Sequence, residues 1–220
     1  MLIRYFDLGA HKGGEITRMR DMLDRDPLAS SWKMYAFEAH PGLARRCRRQ
    51  FKRDASVQVV QCALGTDEGT CKLFLNRNLV GSSIYSGKNN VIPGREVEVP
   101  CMRFSRWLKE NLPDDWTESF NIIKSNIEGA EWDLWHDLAE NDLVPAFNLW
   151  LGTVEGHDGW SEDLRKISGM ESQADALAAA IKEAGVKIYR FSAFDKKVPN
   201  SDVSAVLHHR LTDVTRADAL

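Results

Sequence analysis

No stretch of the chain approaches the roughly 18 consecutive apolar residues of a membrane-spanning helix, and the N-terminus enters an apolar strand without the basic region and longer apolar stretch of an export signal. Cysteine is sparse and unfavourably spaced. Cys47, Cys62, Cys71 and Cys101 form no Cys-x-x-Cys pair and have no histidine at finger spacing, so neither a zinc site nor a redox pair is indicated, and free thiols are expected. Excess charge is also missing: 29 Lys+Arg against 32 Asp+Glu leave a net charge of -3, with no electrostatic case for nucleic acid as the main partner. Repeats, linkers and low-complexity segments are absent as well. A soluble, cytoplasmic protein is expected, and 220 residues suffice for a single domain over residues 1–220 that needs no disulfide or structural metal.

One local departure from charge balance is present. Arg45, Arg46, Arg48, Arg49, Lys52 and Arg53 crowd one predicted helix, a pattern that reads as a solvated helix face.

Strand and helix patterns alternate along the chain. Leu2–Leu8 reads as a buried strand, followed by a glycine loop and a helix over 15–25 with Ile16, Met19, Met22 and Leu23 on its apolar face. A strand over 33–38, a helix over 41–53 with Pro41 in its first turn, and a Val-rich strand over 57–64 come next. Strands over 70–76 and 97–101 flank an irregular stretch containing Gly81, Gly87, Pro93 and Gly94. A helix over 104–112, a strand over 120–127, a helix over 130–141 and a strand over 148–155 complete the middle of the chain. An Ala-rich helix over 171–184 stops at Gly185, and strands near 186–191 and 203–209 are predicted to pair as a hairpin. The expected fold is α/β, a mostly parallel sheet with helices on both faces and one antiparallel strand at its end.

Three strand ends carry polar turns. The first, Asp7-Leu-Gly9-Ala10-His11-Lys-Gly13-Gly14, opens a helix and matches the dinucleotide fingerprint except that His11 stands where its second glycine belongs. A side chain there hinders a pyrophosphate and favours a nucleoside without phosphates. Glu38 ends the second strand, where a carboxylate can accept from both ribose hydroxyls. The end of the strand over 120–127 reads Lys124-Ser125-Asn126-Ile127-Glu128-Gly129-Ala130-Glu131.

The order Phe-Asp-Leu-Gly-Ala-His-Lys-Gly, Ala-Phe-Glu-Ala-His-Pro, Cys-Ala-Leu-Gly and Ile-Lys-Ser-Asn-Ile-Glu-Gly-Ala-Glu resembles the FkbM-type family of S-adenosylmethionine-dependent methyltransferases, over roughly residues 3–157. The resemblance implies the class I methyltransferase (Rossmann-like) fold, a seven-stranded sheet ending in an antiparallel hairpin. It implies S-adenosylmethionine as cofactor, with Asp7, Gly9, Ala10 and Gly13 at its methionine end, His11 close by, Glu38 and Ala39 at the ribose, and Cys62, Ala63 and Leu64 at the adenine. Gly81-Ser82-Ser83 also resembles a family segment but reads as a plain loop.

Asn126 stands where the family usually has Asp, keeping a carbonyl acceptor for the cofactor's ammonium but losing the charge that could hold a hard cation. Metal-assisted transfer is therefore not expected. Thr153-Val-Glu155-Gly-His157-Asp lies at the end of the strand over 148–155, where the family commonly has an acid and a histidine. His157 is the expected base for deprotonating a hydroxyl acceptor, with Glu155 or Glu128 orienting it or the acceptor. Trp132 and Trp135, at helical spacing, read as packing residues. The expected activity is methyl transfer to a hydroxyl of a small molecule or a sugar-containing product, without nucleic-acid or membrane partners. Acceptor selectivity is expected in residues 76–100 and 158–172. Three rivals stay open: a cofactor-binding partner that has lost catalysis, kept in view by Asn126 and Ser125; a nicotinamide-dependent oxidoreductase, disfavoured by His11 and by the expected terminal hairpin; and a metal-dependent O-methyltransferase, which chelator-sensitive activity would revive.

Overall fold

Strand β1 (Leu2–Leu8) is buried on both faces, with Ile3 and Tyr5 on one side and Phe6 and Leu8 on the other. Such a strand belongs in the middle of a parallel sheet covered by helices on both sides. The computed structural model describes residues 1–193 and 202–217. After β1 come α1 (Gly14–Leu23), β2 (Ser31–Phe37), α2 (Pro41–Gln50), β3 (Val57–Val60), β4 (Ala63–Leu64), β5 (Gly69–Phe74) and β6 (Glu96–Met102). They are followed by α3 (Phe104–Asn111), β7 (Phe120–Ser125), α4 (Glu131–Glu140), β8 (Leu149–Gly152), α5 (Glu171–Glu183), β9 (Ile188–Arg190) and α6 (Val203–Ala217).

The main sheet has six strands in the order β3-β2-β1-β7-β8-β9, and every adjacent pair is parallel. One face packs on α3, α4 and α5 through an aromatic cluster centred on Phe6. That ring stacks on Tyr35 at 5.1 Å and meets Phe104, Trp116 and Phe147 edge-on, while Phe37 meets Trp107 at 4.8 Å. Trp135 is buried in this layer and Trp132 packs against it, as helical spacing predicts. The other face buries Ile3, Tyr5, Met34, Ile122 and Leu151 beneath α1 and α6. The chain runs outward from β1 to β2 and β3, then returns to place β7 on the other side of β1. The crevice at the carboxyl ends of β1 and β7 is the switch point at which such sheets bind ligands.

Two sequence expectations are corrected here. Residues 57–64 are not one strand: the chain leaves the main sheet after Val60, and Ala63–Leu64 joins a second, three-stranded sheet of order β4-β6-β5. The turn at Cys62 is thereby brought over the edge of the main sheet. Residues 203–209 are not a strand, and no terminal hairpin or seventh, antiparallel strand is present in the main sheet among the described residues. Val203, Leu207 and Leu211 are all buried, and their spacing of four is the period of a helix lying on the sheet rather than the alternation of a strand. The basic residues of α2 are exposed, as expected of a solvated face.

Candidate active site

At the end of β1 the chain must turn sharply without obstructing its neighbour. Gly9 has φ +83°, and a Cβ there would stand 2.0 Å from the carbonyl oxygen of Asn126, so only glycine fits between the β1 and β7 turns. The turn is tied down by N–H donation from Gly9 and Ala10 to the Phe37 carbonyl at 3.0 and 2.8 Å, and from Asn126 to the Leu8 carbonyl at 2.9 Å. His11 is itself left-handed at φ 51°, which accounts for a glycine-like position holding a histidine, a residue type that tolerates this region.

Glu38 closes β2 with its carboxylate fixed from two sides. The His11 N–H donates to Oε2 and the His40 N–H to Oε1, both at 2.8 Å. Burial pushes its pKa up to about 7 against the pull of these two donors. Each oxygen retains a lone pair for another donor. His40 uses its own ring as the N-cap of α2, Nδ1 accepting from the Gly42 N–H at 3.1 Å. That bond keeps Nδ1 unprotonated, and burial lowers the pKa of the ring.

These groups face one cleft with roughly 1040 Å³ of empty space, part of it open to solvent. Gly9, His11, Glu38, Ala39, Cys62, Ala63, Leu64, Asn126 and Glu128, all singled out in the sequence, line it together. Leu43 and Leu73 add apolar wall beside the Cys62–Leu64 turn, and Thr153 and Ser192 reach its other end. Leu79, Val80, Gly81 and Ser82 form a further side, so the segment read as a plain loop is part of the cleft. Its Ser83 Oγ donates to the Glu128 carbonyl at 2.8 Å and anchors it to the β7 turn.

Other expected site residues lie elsewhere. Asp7, Ala10 and Gly13 do not line the cleft. Asp7 is fully buried beneath the glycine turn, 2.9 Å from Lys124 Nζ, because β1 and β7 are adjacent and these two residues are paired in register. Burial raises the Asp7 pKa to about 6, with Lys124 acting in the opposite direction. Burial works against the Lys124 ammonium too, but Asp7 and Glu15 hold its pKa above the usual value. At neutral pH both are charged and serve as an internal ion pair. Gly13 is the left-handed N-cap of α1, where a Cβ would meet Phe51 at 2.4 Å. His157 and Glu155 are also outside the cleft lining, contrary to expectation. After β8 the chain turns back along β9, with the Gly156 N–H on the Ile188 carbonyl at 3.0 Å, and carries both residues away. The His157 Nδ1 lies 3.2 Å from the Val186 carbonyl, and Glu155 is 4.0 Å from Lys187 Nζ.

The residues that hold the β7–α4 turn were not all visible in the sequence. Glu131 holds the β7–α4 turn: its carboxylate accepts from the Ile127 N–H at 2.7 Å, the Gly129 N–H at 2.8 Å and Ser125 Oγ at 3.1 Å. Burial, with Asp163 nearby, pushes its pKa up to about 7. Glu128 stands in this turn at φ 61° with its side chain 16% exposed, paired to the fully buried ammonium of Lys88. Glu131 ends the sequence motif that follows β7, whereas Lys88 lies in the irregular stretch between β5 and β6 and carried no signal. No helix among the described residues is long and apolar enough to cross a membrane.

A cleft at the sheet switch point, a backbone-anchored carboxylate after β2, an apolar turn opposite it and an acid beyond β7 are an arrangement suited to a nucleoside-bearing cofactor beside a second substrate. No curated protein and no solved structure matches the sequence. The sequence profile of the methyltransferase FkbM domain matches residues 7–188, from the end of β1 to the beginning of β9. By that match, which takes in the cleft-bearing turns of β1, β2 and β7 and most of the chain, this protein belongs to the FkbM methyltransferase family.

Proposed function

We propose that the protein transfers the methyl group of S-adenosylmethionine to a hydroxyl of a small molecule or a sugar-containing product. The observation that carries this reading is the convergence of Gly9, Glu38, the Cys62–Leu64 turn and Asn126 on one cleft with an acid, Glu128, at its far side. The residues present fit the cofactor. The carboxylate of Glu38 retains acceptor capacity for a cis-diol, its charge disfavours a 2′-phosphate, and Ala39, Leu43, Cys62, Ala63 and Leu64 offer a neutral apolar surface to a purine. Gly9, His11 and Asn126 would hold the methionine end.

When bound, S-adenosylmethionine supplies an electrophilic methyl group on a sulfonium. The chain's own part is to align a hydroxyl and take its proton. Lys88 engages Glu128 Oε2, so Oε1 is the atom to which an acceptor hydroxyl gives its proton. Leu79, Val80, Ile84 and Ile127 wall this region and suit an acceptor with an apolar body. Transfer of labelled methyl groups to a panel of hydroxyl compounds tests the reading. Glu128→Gln is expected to lower kcat by about a hundredfold or more without weakening cofactor binding. Cofactor binding with no transfer to any member of a broad panel, and no effect of Glu128→Gln, would favour a binding partner that has lost catalysis, the reading to which Asn126 and the position of His157 lend support.

A further inference from the structure

We propose that Lys88 is a positioning residue of the acceptor site, its buried ammonium fixing the Glu128 carboxylate against the cleft wall from behind. The proposal rests on the reading of Glu128 as proton acceptor. The Lys88 side chain is 0% exposed, and its Nζ is paired to Glu128 Oε2 with Asp163 Oδ1 at 3.6 Å. Asp163 also takes Lys166 Nζ at 2.7 Å, so two cations and two acids alternate from the surface to the cleft. The backbone around Lys88 is locked to the same neighbouring segment. Lys88 forms a bridge with Ile167, the Asn89 N–H donates to the Lys166 carbonyl at 2.9 Å, and the Ser168 N–H donates to the Gly87 carbonyl at 3.2 Å.

Burying a lysine is costly, and an apolar side chain of similar volume would ordinarily stabilise such a place as well or better. Asp163 does not require it, having Lys166. The acid that does is Glu128, whose backbone the same β5–β6 segment holds through Ser83. One segment therefore fixes Glu128, a residue of the cleft wall, at both its main chain and its carboxylate. The groups acting on the Glu128 charge are Asp163, Lys88 and Lys166, with burial and Asp163 raising its pKa and the two lysines lowering it.

Opposite charges can be removed separately, so the test reads sign as well as size. In full-length protein carrying 13C-labelled glutamate carboxyls, the Glu128 resonance is identified by its loss in Glu128→Gln and followed with pH. Lys88→Met is expected to move its titration midpoint up by about one pH unit or more, a tenfold gain in proton affinity. Lys88→Arg should leave it near the wild-type value, and Asp163→Asn should move it down. An unchanged midpoint in folded Lys88→Met overturns the proposal. If that variant fails to fold, an unchanged midpoint in Asp163→Asn, whose residue is partly exposed, overturns it instead. Calorimetry of wild-type protein with S-adenosylhomocysteine separates the two readings: absence of binding there removes the methyltransferase reading while leaving the Glu128 midpoint to be judged by itself.

Discussion

Single residues in this protein are constrained by close approach more than by their own chemistry. Gly9→Ala puts a methyl into the Asn126 carbonyl and forces an L residue to φ +83°. Denaturant unfolding of that variant is expected to show a loss of at least about 2 kcal/mol, with cofactor binding impaired as the β1 and β7 turns separate. The glycine and Glu38 were legible because a strand–turn–helix context gives each a geometric task. Lys88 was not: its partner lies 40 positions along the chain, in a different turn. The cysteines teach the same lesson. Cys71 and Cys101 are unrelated by spacing, yet the pairing of β5 with β6 sets Cys71 opposite Val99, two residues from Cys101. His157 is the opposite case: a histidine after a strand end was legible, but the turn at Gly156 that sets it outside the cleft lining was not.

Among the elements, the ones with strong periodicity were read correctly in kind, and the errors came where short apolar runs fit both periods. Residues 203–209 alternate closely enough to pass for a strand, but continuing to Leu211 and Val214 shows the stripe of a helix docked on α1's side of the sheet. Leu207→Ala, at a fully covered position, is expected to cost about 2–4 kcal/mol in denaturant unfolding, while His209→Ala on the exposed face should stay within about 0.5 kcal/mol. Equal small effects at both positions would contradict a docked helix. The β7–α4 turn is an element in its own right, held by one carboxylate. Glu131→Ala removes the acceptor of two backbone N–H groups, and a loss of about 3 kcal/mol with disordering of Asn126 and Glu128 is expected by melting and hydrogen exchange.

At the scale of the whole molecule, acids are buried at the candidate cleft and in the β7–α4 turn beside it. The folded-state pKa of Glu38 and of Glu131 is raised to about 7, above the value near 4.5 of the unfolded chain. For such a group the native state binds more protons than the unfolded state between those values. Its contribution to stability is complete below about pH 4.5 and is lost as pH rises through about 7. The lowered pKa values of His11 and His40 act in the opposite sense near pH 6.5, so the informative quantity is a difference between variants. The pH dependence of unfolding free energy between pH 5 and 8 is expected to be less negative in Glu38→Gln than in wild type, by up to roughly 3 kcal/mol over the interval. The parallel α/β plan was legible at this scale from alternation alone. The second sheet, which carries Leu64 and Leu73 to the cleft, was not, because its strands separate in sequence and meet only through tertiary pairing.

The donor site is tested most directly by calorimetric titration of the purified protein with S-adenosylhomocysteine, with NAD as the comparison and Glu38→Ala as the variant. Micromolar binding of S-adenosylhomocysteine that is lost in Glu38→Ala, with no binding of NAD, is the predicted result. Absence of S-adenosylhomocysteine binding to folded wild-type protein, or binding of NAD in its place, contradicts it.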